Sequence, residues 1–257
     1  MRERHAREPL EIGGGIVRRL EGDQFRLSLP AGSKAYVNAQ IDDYRRLARR
    51  DFPWSPPVLM RLEARTSTPQ PTGTFGFGFW NDPFSVSIGQ GGGARRFPSS
   101  PQAAWFFFGS PPHDLALVEG VPGRGWKAAS LRTPRIPSLV LAPLAVGAIV
   151  LAQIPGLKRP VMRTALQFAE AEEILLSNPF SEWHRYELEW LEDGVRFAID
   201  GRTILQTAVS PPAPLGFVTW IDNQYAIASP QGGFRFGVLP LAEGQWLEIR
   251  RLEVTNL

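Results

Sequence analysis

The sequence predicts an all-β protein, a single domain with one apolar insertion. Three observations carry this. Glycine (25) and proline (24) are both abundant in 257 residues, as expected where many short strands are joined by turns. Period-two alternation recurs along the chain, and a long double hairpin with Gly-containing turns closes its second half. A chain of this length can bury one large core, and all-β domains of roughly 200 to 250 residues are commonly single.

The elements follow in order. The first fifteen residues, MRERHAREPLEIGGG, are charged and end in a glycine run; they read as a flexible N-terminus without the apolar core of a signal peptide, and a cytoplasmic location is expected. Alternation starts at Phe25, Leu27 and Leu29 and stops at the turn Pro30-Ala31-Gly32. KAYVNAQI sets Ala35, Val37, Ala39 and Ile41 against Tyr36, Asn38 and Gln40, and PVLMRLEART sets Val58, Met60 and Leu62 against Arg61, Glu63 and Arg65. Both are half-buried strands with one polar face. For RLEAR, a cross-strand ion-pair ladder on an outer face is the simplest account.

Trp183 to Ile204 gives the firmest element. Tyr186, Leu188 and Trp190 alternate with Arg185, Glu187 and Glu189, Glu-Asp-Gly leads into Val195, Phe197 and Ile199, and Asp200-Gly201 turns the chain again. Glycine supplies the positive φ that such tight turns require. In the C-terminal WLEIRRLEV the phase changes at Arg250-Arg251, which predicts a β-bulge. One segment differs: Leu139 to Ala152 is continuously apolar, and Met162, Ala165, Leu166 and Ala169 follow at helical spacing. An insertion over about 138–178, helical or irregular, is expected to pack on the sandwich, with Glu170, Glu172 and Glu173 on its solvated face. Its apolar run is shorter than a spanning helix needs; Lys158 and Arg159 at its turn leave contact with a membrane surface as the alternative.

Composition removes several function classes. No cysteine is present, which excludes thiolate metal sites and a Cys nucleophile. Three histidines, His5, His113 and His184, are too few for a His-based metal cluster. The formal charge is +3 with a pI near 9.6, and the Arg-rich run from Asp42 to Phe52 has interleaved acids; no nucleic-acid partner is expected. SIGQGGGARRF, Ser87 to Phe97, lacks the Lys-Ser/Thr pair of a phosphate loop and reads as a flexible connection. His113 follows two prolines and reads as a hydrated loop residue; His184 reads as part of the hairpin.

Two stretches concentrate the chemistry. GFGFWNDPF (Gly76 to Phe84) and GFVTWIDNQY (Gly216 to Tyr225) place Trp80 and Trp220, and Asp82 and Asp222, at matching offsets. Alternation puts each Trp on the same strand face as its Asp, with Asn81, Asn223, Gln224 and Tyr225 at the strand ends. Either these residues are core and turn caps, or two indoles and two carboxylates line one groove.

LMRLEART, TGTFGFGFWND and WHRYELEWLEDGVRFAIDGRTI, taken in order with WLEIRRLEV, resemble the concanavalin A-like lectin/glucanase superfamily, and its glycoside hydrolase family 16, laminarinase-like branch most closely. The resemblance covers about residues 16–135 and 180–257. It implies a two-sheet antiparallel jelly roll whose concave face binds oligosaccharides, and some relatives carry calcium, which here would sit near Asp82 or Asp222. The hydrolases need two carboxyl groups about 5 to 5.5 Å apart across the scissile bond, which the family supplies as E-x-D-x-E or E-x-D-x-x-E. Neither motif is present. The strand expected to carry it, in QAAWFFFGSPPHDL, offers Trp105 and Phe107 instead. The expectation is a noncatalytic, carbohydrate-binding sandwich with an aromatic and Asp groove and no required cofactor. The alternatives are a glycosidase or lyase with a noncanonical site at Asp82, His113 or Asp222, and a lipid-associated module acting through the insertion.

Overall fold

The computed structural model describes residues 7–83, 96, 99–135, 169–229 and 233–257. These form two seven-stranded antiparallel sheets packed face to face, with one two-stranded hairpin beside them. Most of the expected insertion, residues 136–168, lies outside the described residues, as does most of Ser87 to Phe97.

The first sheet contains, in spatial order, β1 (Glu8–Ile12), β4 (Asn38–Asp42), β13 (Gly216–Asp222), β6 (Thr74–Trp80), β7 (Ala103–Gly109), β8 (Gly125–Arg132) and β9 (Glu170–Leu175). The second contains β12 (Arg202–Thr207), β11 (Gly194–Ile199), β10 (His184–Leu191), β5 (Val58–Thr66), β16 (Gln245–Asn256), β3 (Phe25–Leu29) and β2 (Ile16–Arg19). The separate hairpin pairs β14 (Gln224–Ser229) with β15 (Gly233–Val238).

Alternation decides what enters the space between the sheets. From β6 come Phe75, Phe77 and Phe79, from β7 Phe106 and Phe108, and from β10 and β11 Tyr186, Leu188, Trp190, Val195 and Phe197, all in one continuous core. Phe77 meets Tyr186 edge-on at 4.9 Å and Phe106 meets Phe197 at 5.3 Å, a preferred geometry for quadrupolar rings. The predicted hairpins hold: β10 pairs with β11 and β11 with β12. His184 Nδ1 lies 2.7 Å from the Asp200 carboxylate, which also accepts the Arg185 N–H at 2.8 Å, so this histidine ties the strand to its turn. In β16 the register against β5 shifts between Arg250 and Glu253, and Arg251 has φ 53°, the bulge that the phase change predicts.

Two expectations are corrected. Within the N-terminus read as flexible, Glu8–Ile12 is β1 and pairs with β4 along all five residues; Pro9 and the charged flanks hide a strand that sits at the edge of its sheet. The glutamates assigned to a helix lie on β9, which pairs with β8. EAEEIL has helix-forming residues, but a neighbouring strand edge satisfies its backbone and overrides the local preference. Glu170 and Glu172 are exposed as expected, whereas Glu173 is buried.

Candidate binding face

The face of the first sheet turned away from the core carries a second apolar cluster. Here Trp80, Trp105, Phe107, Val218 and Trp220 gather with Tyr44, Leu47 and Phe52 from the loop after β4. Trp80 and Trp220 stack with ring centroids 6.3 Å apart and planes 10° from parallel. Trp105 lies 5.9 Å from Trp80 and 5.8 Å from Trp220, and Phe107 lies 5.5 Å from Trp105. Four of the sequence-predicted residues are thus brought together as one layer of rings.

Glycines explain why the rings lie flat. Alternation in GFGFW sends the phenylalanines inward, so Gly76 and Gly78 form the outward face of β6 between two strands that carry indoles. A Cβ on Gly76 would stand 2.8 Å from the ring edge of Trp220, and one on Gly216 would stand 2.1 Å from the Tyr44 ring. Each ring occupies the volume its neighbour's missing side chain leaves.

The indole N–H groups are committed inside the layer. Trp80 Nε1 donates to the Tyr44 hydroxyl at 2.5 Å, and Trp220 Nε1 donates to Thr74 Oγ1 at 2.9 Å. The Thr74 hydroxyl donates in turn to Asp222 at 2.8 Å, and the Gln224 N–H donates to the same carboxylate oxygen at 3.0 Å. Burial raises the Asp222 carboxyl to about 6 against these bonds, which favour the charged form. Trp220 is only 9% exposed, while Trp80 and Trp105 are half-buried. The surface is therefore a shallow platform with two indoles showing, and Trp220 and Phe107 support it from within.

The remaining candidates lie apart from the ring faces. β6 ends at Trp80, so alternation does not carry Asp82 onto the face; Asp82 has φ 46° and its carboxylate meets Arg96 at 2.6 Å. Burial raises its carboxyl, opposed by Arg96 and Arg49. Arg96 also donates to the carbonyls of Tyr44, Arg45 and Leu47. One guanidinium from the Gly-rich stretch thus clamps the loop that supplies Tyr44. Asn81 bonds Ser99, Ser100 and Gln102, and Asn223 bonds Val37, Ala35 and Leu239; both join loops to strand ends. Gln224 and Tyr225 belong to β14, where Tyr225 lies against Gly237.

His113 is also corrected. It is 2% exposed, with its ring 5.1 Å from Phe107 and its Nδ1 accepting the Ala226 N–H at 3.2 Å. Pro111 and Pro112 suggested a hydrated loop, but Gly109 leaves room for the imidazole against the sheet: a Cβ there would be 2.5 Å from Cδ2. Burial and then the Lys127 charge lower its pKa to about 4, so it is neutral near pH 7.

Sequence reasoning missed Lys127 and Glu173. They form a buried ion pair at 2.7 Å beside the ring layer. Lys127 also donates to the carbonyls of Leu115 and Pro122, and Glu173 accepts the N–H groups of Leu117 and Val118. The pair fastens the 115–122 loop across β8 and β9, and with Trp105, Phe107, Leu115, Leu117 and Ala129 it lines a small cleft. No local pattern announces it, because its two halves are far apart in sequence and one lay in a segment read as helix.

The outward positions of β7, where the resemblance expects acids, hold Ala103, Trp105, Phe107 and Gly109. Among the described residues no group of three or more His, Cys, Asp or Glu side chains converges to hold a metal. Calcium, which some relatives in the resembled family carry, takes six to eight oxygens; the Asp82 and Asp222 carboxylates are engaged by Arg96 and by Thr74, so these residues do not fit it. Among the described residues no helix is long and apolar enough to cross a membrane.

No protein-family model and no curated protein sequence matches the chain. Solved structures that resemble it include a β-glucanase from Bacillus licheniformis, at 10% identity with 99% of this chain and 94% of the other covered and a TM-score of 0.46. A legume lectin-like domain from Entamoeba histolytica is similar at 8% identity, 98% and 90% coverage and a TM-score of 0.47. An endo-β-galactosidase from Clostridium perfringens is similar at 12% identity with 93% of this chain covered and a TM-score of 0.41, and the chain spans 54% of its length. The jelly-roll sandwich itself is established by the strand order of the two sheets.

Proposed function

We propose that the chain is a noncatalytic carbohydrate-binding domain whose ring layer receives one face of a neutral sugar on Trp80 and Trp105. The observation that carries this reading is β7: an outward row of Ala103, Trp105 and Phe107 presents rings where a hydrolase of this architecture needs paired carboxylates. Half-exposed indoles held flat by their neighbours offer apolar faces to sugar C–H groups at little entropic cost. Asp222 and His113 are enclosed by internal bonds, which supports binding over acid/base work. The glucanase and lectin-like domain are likenesses of fold; the reading rests on the rings.

The test is titration of the protein with neutral oligosaccharides selected on a glycan array, alongside Trp105→Ala and Trp80→Ala. Each substitution is expected to weaken binding by about fivefold, the worth of a ring contact of order 1 kcal/mol. Equal binding by both variants, or no neutral glycan bound by the intact protein, would overturn the proposal.

A further inference from the structure

The outward face of the second sheet is built differently. Along it, three glutamates each hold two arginines: Glu248 pairs with Arg26 and Arg65, Glu63 with Arg250 and Arg251, and Glu187 with Arg61 and Arg185. Each node therefore carries one net positive charge. The adjoining Arg196–Glu189 pair is neutral, and Arg18, opposite Arg26, is offset by Glu253, opposite Arg61.

Depth sorts these charges. Glu248 is 1% exposed, whereas its partners and those of the other two nodes range from 36% for Arg65 to 76% for Arg251. The carboxylates lie beneath and the guanidiniums form the outer layer. Two tryptophans fix that layer: Arg250 and Arg65 lie 4.1 and 4.7 Å from the Trp183 ring centroid, and Arg26 and Arg65 lie 5.0 and 5.4 Å from that of Trp246. The contacts run in series from Arg250 to Trp183, Arg65, Trp246 and Arg26. Cation–π contact holds these three guanidiniums against the indoles. The roughly ten N–H donors of two guanidiniums exceed the roughly four lone-pair sites of one carboxylate, so every node has donors to spare.

We propose that this face is a docking surface for an acidic polysaccharide, read by three Arg–Glu–Arg nodes whose carboxylates lie beneath guanidiniums, three of which, Arg26, Arg65 and Arg250, are stacked on Trp183 and Trp246. The nodes step along β5 at Arg65, Glu63 and Arg61, two residues and so about 7 Å apart. Single charges at that interval match a polymer whose anionic groups are separated by hydroxyl-bearing rings. They match poorly the continuous charge of nucleic acid, with one phosphate per about 1.7 Å. Carboxylate or sulfate would accept paired N–H bonds from the guanidinium edges. This surface is on the opposite side of the sandwich from the ring layer, and its proposal stands apart from that of the neutral-sugar face.

The experiment measures binding of the full chain to heparin, as sulfated probe, and to polygalacturonate, as carboxylated probe, with neutral dextran and duplex DNA as references. It is run at about 50 mM and about 300 mM salt, across which the Debye length shortens from about 14 Å to about 6 Å and exposed charges are screened more strongly. Binding to at least one acidic polysaccharide, weakened by salt, is expected, and which probe binds tells sulfate from carboxylate recognition. Arg185→Gln/Arg251→Gln, which removes the two most exposed guanidiniums and leaves Arg65 between its tryptophans, should weaken it about fivefold at an unchanged melting temperature, from about 0.5 kcal/mol per exposed charge. Trp105→Ala should leave it unchanged. The inference is overturned if neither acidic probe binds, if the double variant binds as well as the parent, or if DNA binds as tightly as the better polysaccharide.

Discussion

At the scale of single residues, glycine and histidine show how a side chain's setting outweighs its type. Gly76 is opposed on both sides, since a Cβ would stand 2.4 Å from the Phe106 carbonyl oxygen as well as 2.8 Å from Trp220. Gly76→Ala is therefore expected to destabilise by about 2 kcal/mol or more through overpacking, read by urea unfolding, with a changed near-ultraviolet tryptophan spectrum. His113 predicts a pH effect of definite sign. Its unfolded imidazole takes a proton near 6.5 and the folded one near 4, so between these values the unfolded chain binds more protons and stability falls as pH falls. Asp222 works in the opposite sense: its raised folded pKa, about 6, removes stability as pH rises from about 4 towards 6. His113→Asn, whose Oδ1 can replace Nδ1 as acceptor for Ala226, removes only the first effect. Relative to the parent, the variant should gain on the order of 3 kcal/mol between pH 7 and pH 4, measured by urea unfolding at the two values; parallel loss in both proteins would refute the assignment.

Among elements, β8 and β9 depend on one ion pair. Lys127→Met leaves the Glu173 carboxylate buried without its cation and two loop carbonyls without a donor, a loss of about 3 to 5 kcal/mol. Adding Glu173→Gln should restore part of that, because a neutral amide oxygen still accepts the Leu117 and Val118 N–H groups. Double-mutant unfolding measures the recovery, and a double variant less stable than Lys127→Met would refute it. Strands were legible where apolar and polar residues alternate over a full run: β3, β4, β5, β10 and β11 were read this way, and the RLEAR ladder on β5 follows from its three charges. β9 was not, because Glu, Ala and Leu favour a helix and only the open edge of β8 makes the segment a strand.

For the whole molecule, the sandwich separates two outer faces of opposite chemistry. One is a layer of rings with its polar groups satisfied internally; the other is a layer of guanidiniums over buried carboxylates. The two proposals predict independent binding: substitutions at Trp80 or Trp105 alter neutral sugar and spare heparin, and substitutions at Arg185 and Arg251 do the reverse. Cross-effects in the paired titrations would show that the faces are coupled through the core.

Periodicity and turn residues were enough to determine an all-β chain, its principal hairpin and the bulge at Arg250-Arg251, because strand alternation and glycine turns are local physics written in neighbouring residues; they marked Trp80 and Trp220 as a matched pair, and the structure decided that the two stack. Register placed Trp105 and Phe107 beside those indoles. Only the tertiary structure decided that Gly76 and Gly216 are seats for rings from adjoining strands, that Asp82 belongs to Arg96, that His113 is buried, and that Glu173 faces Lys127. Each of these depends on which strand or loop comes to lie alongside, and that contact joins residues tens of positions apart whose types carry no mark of one another.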